Sequence, residues 1–164
     1  MSKTEKSCAT RLLRFFRKMS EPDLESYTAY LRGLRLRYFH PDEVTSYATR
    51  ERGGVTNSLP PEELWDNLPP TLWIVDALRH YLKKPITLTS IYRSPAYNKA
   101  IGSGAATKSQ HIRNAAIDFQ IKGMSPHAAY IQLKRMRDGG AFLGGLGSYS
   151  TFCHVDTRGA NATW

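Results

Sequence analysis

The stretch Ser109-Gln110-His111-Ile112-Arg113-Asn114-Ala115-Ala116-Ile117-Asp118-Phe119-Gln120-Ile121 decides how this chain is read. Its second half, 115–121, has the apolar, β-branched and aromatic content of a short buried strand, yet Asp118 stands in the middle of it. A carboxylate in a buried strand is costly unless it is paired or coordinates a metal. The same anomaly recurs near the end of the chain, where His154 sits inside the apolar run Phe152-Cys153-His154-Val155. His111 occupies the polar loop just ahead of the first strand. Two neutral imidazoles and one carboxylate make three ligands of a zinc site that keeps a fourth position open, the arrangement of a catalytic rather than a structural metal. Residue types alone leave a second reading open, an ion pair or hydrogen bond between Asp118 and one histidine within the core.

Working outward, Ser20-Glu21-Pro22-Asp23 has the pattern of a helix start, and Leu24, Tyr27, Leu31 and Leu34 follow at helical spacing. A helix over 21–36 is expected, with Arg32, Arg35 and Arg37 on its solvated side. Residues 45–70 carry no sustained period and read as a long loop with short turns. A second helix bearing Leu72, Val75, Leu78 and Leu82 should end at Lys83-Lys84-Pro85, followed by a strand over 86–92 and a short helix from Ser94-Pro95 to about Ile101. The Gly-Ser-Gly-Ala-Ala stretch at 102–106 is a turn. Ser125-Pro126 opens a third longer helix that stops at Gly139-Gly140, and two strands around 142–147 and 151–156 close the chain. Strands and helices alternate without a βαβ rhythm, so the class is α+β, a single domain with a small, mainly antiparallel sheet flanked by helices.

A length of 164 residues suffices for one cored domain, and 41% hydrophobic with 23% charged residues is ordinary for a globular chain. The net charge of +9 is not ordinary, and predicts attraction to polyanions such as nucleic acid, acidic lipid or the anionic polymers of a bacterial envelope. Two cysteines, Cys8 and Cys153, make no disulfide framework, and two free thiols are expected. The apolar cluster Leu12-Leu13 and Phe15-Phe16 is too short and too charged for a secretory segment, and no stretch reaches transmembrane length. The expectation is a cytoplasmic product that is a monomer.

The run from Ser109 to Asp118 resembles the Ser-x-His-x-x-Gly-x-Ala-x-Asp signature of the zinc D-Ala-D-Ala carboxypeptidases, a superfamily that also holds phage cell-wall endopeptidases and the Hedgehog signalling domain. Ile91-Tyr92-Arg93-Ser94-Pro95-Ala96-Tyr97-Asn98 is similar to its arginine-bearing segment. Gly144-Gly145-Leu146-Gly147 through Phe152-Cys153-His154-Val155-Asp156-Thr157 is similar to its closing segment, and Trp164 fits the branch of small murein endopeptidases. The resemblance covers about 38–164 in collinear order. It implies a Hedgehog/D,D-peptidase-like fold and a zinc peptidase domain over 38–164; residues 1–37 lie outside it and read, from their own pattern, as a basic extension with an amphipathic helix. It further implies one zinc ion held by His111, Asp118 and His154, which polarises a scissile carbonyl and lowers the pKa of its water towards about 7. Arg93 matches the arginine that stabilises the developing oxyanion or binds a substrate carboxylate. Position in the motif places Gln110 and Tyr149 along the cleft.

Two departures matter. The signature glycine is Asn114, the non-glycine residue best suited to a left-handed backbone. Many relatives carry an acidic general base three residues before the last histidine, where this chain has Thr151. Asp156, on the same strand face as His154, is the candidate to replace it, either as base or as a group that orients the histidine through its other ring nitrogen. Strand alternation turns Cys153 to the opposite face, and His40, His80 and His127 lack carboxylate partners at ligand spacing. The implied activity is hydrolysis of stem or cross-link peptides in peptidoglycan, as endopeptidase or carboxypeptidase, by a phage or prophage lysin released by a holin or carried in a virion. Two other classes stay open on sequence: a zinc-containing wall-binding module, and a nucleic-acid-binding protein using Arg11, Arg14, Arg17 and Lys18.

Overall fold

The computed structural model describes residues 23–102 and 106–164, so the expected cap at Ser20, the lead before it and most of the 102–106 turn lie outside the described residues. The first described helix, α1 (Leu24–Gly33), starts from Asp23, whose carboxylate accepts from the Ser26 amide at 2.8 Å. It is shorter than the expected 21–36, because the chain leaves the helix at Leu34 and Arg35 takes a left-handed φ of 50°. Tyr27 and Leu31 are buried, Leu24 in the first turn stays exposed, and Arg32, Arg35 and Arg37 face solvent.

The stretch 45–70, expected as a long loop with short turns, carries more order than the sequence reading gave it. After α2 (Pro41–Thr45) it contains a 3₁₀ turn (Ser46–Thr49), a hairpin of two-residue strands β1 (Glu51–Arg52) and β2 (Val55–Thr56), and a second 3₁₀ turn (Glu62–Asn67). Each piece is too short to show a hydrophobic period. Single buried side chains fix them instead. Asn57 donates to the carbonyls of Tyr47 and Tyr92 and accepts from the Ser94 amide, and the Tyr47 hydroxyl donates to the Leu88 carbonyl. The Trp65 indole donates to the Pro60 carbonyl and packs on Tyr27 and Tyr30.

Helix α3 (Leu68–Leu82) begins with prolines in its first turn and buries Leu72, Val75 and Leu78 completely. Strand β3 (Ile86–Ser90), helix α4 (Pro95–Ala100), strand β4 (Ala116–Ile121), helix α5 (Pro126–Asp138), and strands β5 (Gly145–Ser148), β6 (Cys153–Asp156) and β7 (Ala162–Thr163) complete the chain. The Ser94 and Ser125 hydroxyls cap α4 and α5. The five strands β3 to β7 run in the order β3-β4-β6-β5-β7, antiparallel except for the β5–β7 pair. The architecture is the expected α+β one. The sequence reading did not include β7.

Alternation gives this sheet two unlike faces. Ile117, Phe119, Leu146, Cys153 and Val155 point into one core with Leu72, Val75 and Leu78 of α3 and Ala129 and Leu133 of α5. Tyr27 and Leu31 of α1 belong to the same core. Asp118, His154 and Asp156 therefore share the opposite face. The register places Asp118 directly across from His154, and Ala116 across from Asp156.

Candidate metal centre

His111 is brought to this face by the turn that precedes β4. Asn114 takes φ 55°, the left-handed geometry expected at the signature glycine, while its side-chain amide donates to the Leu64 carbonyl at 3.0 Å. The turn is tied to the segment after β3, since the Arg93 amide donates to the His111 carbonyl at 3.2 Å. His111 Nδ1 lies 2.5 Å from the Ile91 carbonyl oxygen, an acceptor only, so Nδ1 carries the proton and Nε2 presents a lone pair.

The other ring, that of His154, stands between two carboxylates. Its Nε2 lies 3.0 Å from Asp156 Oδ2 and its Nδ1 2.7 Å from Asp118 Oδ1, so a proton placed on Nε2 towards Asp156 frees Nδ1 to ligate. The inward nitrogens of the two rings converge on one carboxylate oxygen. Asp118 Oδ1 is 3.2 Å from His111 Nε2 and 2.7 Å from His154 Nδ1. One donor atom from each of the three buried residues lies within 4.8 Å of the other two. With the His154 proton on Nε2, three electron-pair donors face one another, an arrangement that suits a divalent cation. Two imidazole nitrogens and a carboxylate oxygen are the ligands zinc prefers. The residues present fit the ion.

The surroundings favour the ligating form of Asp118 and His111 but act the other way on His154. Burial opposes ionisation of Asp118, but His111 and His154 together outweigh it and keep the carboxyl well below the usual carboxylate range. Burial pushes the His111 imidazole down, towards the neutral form a ligand requires. Burial acts the same way on His154, but hydrogen bonds with Asp118 and Asp156 prevail and raise it. Arg93 donates through one terminal nitrogen to Asp118 Oδ2 at 2.6 Å and through Nε to Ser90 Oγ at 2.8 Å. It thus braces the oxygen of Asp118 that turns away from the two rings.

Asp156 shares the face of His154 but not its inward edge. Its side chain is fully buried, and its oxygens accept from the Gly145 amide, from His154 Nε2, and from the Arg158 guanidinium at 2.6 and 2.8 Å. Burial works against its charge, yet Arg158 and His154 hold the carboxyl far below its ordinary range.

A cleft of about 530 Å³ opens over the cluster, and Arg93, Gln110 and Tyr149 all line it, together with Lys108, Arg158 and Trp164. Among the described residues, Asp118 is its only carboxylate. Thr151 borders a different groove, so no acid stands in the cleft in its place. Cys153 points into the core, and His40, His80 and His127 are exposed away from the cluster, as their spacing suggested.

Arg158 and the working position of Trp164 escaped the sequence reading. The available signal was the glycine pattern after α5. A Cβ on Gly145 would come within 2.5 Å of Asp156 Oδ2 and 2.9 Å of the Trp164 ring, and one on Gly147 within 2.7 Å of Trp164 Nε1. The glycines make a shelf for a carboxylate and an indole.

The Peptidase M15 family model matches residues 37–156, most of the chain and all three members of the cluster. The chain belongs to the Peptidase M15 family. Among curated proteins it is similar to the peptidoglycan L,D-endopeptidase MepK of Escherichia coli strain K12 and to that of Shigella flexneri. Both are 38% identical over 82 residues, covering 46% of this chain and 41% of the relative. The chain therefore spans about two fifths of the length of the curated relatives it matches. No solved structure matches it with significance. No described helix is long and apolar enough to cross a membrane.

Proposed function

We propose that this chain is a zinc-dependent peptidase that cuts peptide bonds in the stem or cross-link peptides of bacterial peptidoglycan. The reading rests on one observation above all: two imidazoles whose outward nitrogens meet Ile91 and Asp156 turn their inward nitrogens onto Asp118 Oδ1 at the floor of a cleft. His111, Asp118 and His154 would hold one zinc ion, which when bound supplies Lewis acidity to a carbonyl and acidifies a water.

The chain's own residues do the rest. Arg93 fixes the orientation of Asp118 and keeps one terminal guanidinium nitrogen without a protein acceptor among the described residues, available to a substrate oxygen. Asp156, with both oxygens engaged, orients His154; of the two roles open to it, its geometry supports this one over proton acceptance. Gln110 and Tyr149 border the peptide path, and Lys108 and Arg158 give the cleft a positive rim suited to the carboxylates of wall peptides. A cleft open to solvent suits cutting within a cross-link better than trimming a terminus, in line with the L,D-endopeptidase name of the relatives. Residues 38–164 carry the catalytic apparatus, and α1 braces it through Tyr27 and Leu31.

The test is metal analysis of the purified protein alongside digestion of purified peptidoglycan, with products identified by mass. One zinc per chain and new amino groups, lost with chelator and restored by zinc, are expected. A protein that holds sacculi without releasing amino groups would be a binding module. A protein without chelator-sensitive cleavage would overturn the assignment.

A further inference from the structure

Trp164 is held from several directions. Its indole lies over the Gly145 and Gly147 shelf, 5.2 Å from the His154 ring between centroids, with the Arg158 guanidinium 5.0 Å above its own ring. Its backbone bonds to Leu146 and Ser148 of β5. The aim of its N–H is therefore fixed, and it points at one atom: Trp164 Nε1 donates to the Tyr149 hydroxyl oxygen at 2.7 Å. The Tyr149 ring is itself locked, stacked on Phe152 with centroids 4.4 Å apart.

A phenol has one proton to give and can accept in turn. With the indole N–H on its oxygen, the hydroxyl hydrogen must turn away from Trp164. It finds no acceptor among the described residues, yet the ring lines the cleft. An exposed hydroxyl would ordinarily switch between donor and acceptor. This one is held as a donor aimed at whatever fills the groove.

The sheet order says where that donor stands. Arg93 follows β3, Asp118 lies on β4, His154 on β6, and Tyr149 follows β5, so Tyr149 and Arg93 flank the cluster from opposite sides. Two of Arg93's nitrogens are spent on Asp118 and Ser90.

We propose, on the basis of the peptidase reading above, that Tyr149 donates its hydroxyl hydrogen bond to the acyl oxygen of the bond being cut, and that Trp164 is the positioning residue that keeps it a donor. Charge on that oxygen grows as the carbonyl becomes tetrahedral, so a preset donor acts mainly on the transition state. No proton need leave the tyrosine.

The experiment uses the full chain with zinc and a cross-linked muropeptide of known structure. Tyr149→Phe keeps the ring and its stack on Phe152; it should lower kcat about 100-fold with KM changed by less than about threefold and zinc content unaltered. Affinity for a phosphinate analogue of the cleaved bond, measured by calorimetry without turnover, should fall in parallel with kcat. Trp164→Phe should lose about tenfold, and the double variant no more than Tyr149→Phe alone, because the indole acts through the hydroxyl. Retention of kcat within about twofold in Tyr149→Phe, loss of its zinc, or losses that multiply in the double variant would each overturn the proposal. If the unaltered protein shows no chelator-sensitive cleavage, it is the parent reading that fails.

Discussion

Asp118 and His154 are direct cross-strand partners of β4 and β6, and their atoms Oδ1 and Nδ1 stand 2.7 Å apart. Antiparallel register makes such pairs close neighbours on one face, so two of the cluster's three members are fixed by hydrogen bonding between two strands rather than by loop conformation. Rigid strands hold polar geometry better than loops do. The third member, His111, comes from a turn, but one pinned to the segment after β3.

Removing the shared oxygen should empty the centre. Asp118→Ala is expected to bind zinc at least about 100-fold more weakly, since an outer-shell loss already costs 10–100-fold and this is a ligand. The readout is zinc content after dialysis against a competing chelator. Retained stoichiometric zinc in this variant would show that the ion sits elsewhere.

Asp156→Asn separates its two roles. An amide can still meet His154 but loses the charge that favours the Nε2–H tautomer, so zinc affinity should drop about 10–100-fold. At saturating zinc, turnover should recover most of its original value. A variant that keeps full zinc affinity yet has lost turnover would make Asp156 the proton acceptor instead. A competition titration read beside kcat decides between them.

Part of this arrangement was legible in the chain alone. Asp118 and His154 announced themselves as polar residues inside apolar strand patterns, and alternation was enough to put Asp156 beside His154 and Cys153 opposite. What alternation could not show was which edge of the His154 ring Asp156 meets, because that depends on the Arg158 guanidinium and the Gly145 amide arriving from other segments. The order within the 45–70 loop, beyond its short turns, went unread for a related reason. That order comes from single buried groups such as Asn57 and Trp65, whose partners lie far away in sequence, and no periodic pattern records them. Strand β7 is two residues long, below the length at which alternation means anything.

Zinc should stabilise the fold as well as act in it. A ligand that binds only the native state adds about 2.7 kcal/mol at a free concentration one hundred times its Kd. For a chain of this size that corresponds to a rise in Tm of about 5–10 °C. Thermal scans with zinc and with chelator should differ by that much in the unaltered protein and coincide in Asp118→Ala. A shift that survives in Asp118→Ala would trace to a second site.

The glycine shelf predicts a contrast between two glycine substitutions. Gly147→Ala places a Cβ 2.7 Å from Trp164 Nε1, so the indole must move; a cost of about 1–3 kcal/mol and a changed tryptophan emission are expected. Gly33→Ala, in α1, meets nothing within 4 Å and has an ordinary backbone, so it should be neutral or stabilising by up to about 1 kcal/mol. Chemical denaturation of both variants checks the pair, and equal effects would mean the shelf has no steric role.

Cys153 gives a prediction with a defined sign. It is a free, fully buried cysteine, and burial first, then the nearby Asp118 charge, push its thiol up to about 12. An unfolded thiol ionises near 8.5, so above that pH the unfolded chain binds fewer protons than the native one, and stability falls as pH rises from about 8.5 towards 12. In a Cys8→Ser background, Cys153 should resist a thiol reagent at pH 8 in the native state and react fully in denaturant. Cys153→Ala should flatten the alkaline decline measured by denaturant titration at pH 7 to 10. Rapid labelling of the native protein would instead place this side chain at the surface, and with it the face of β6 that the sheet assigns to the core.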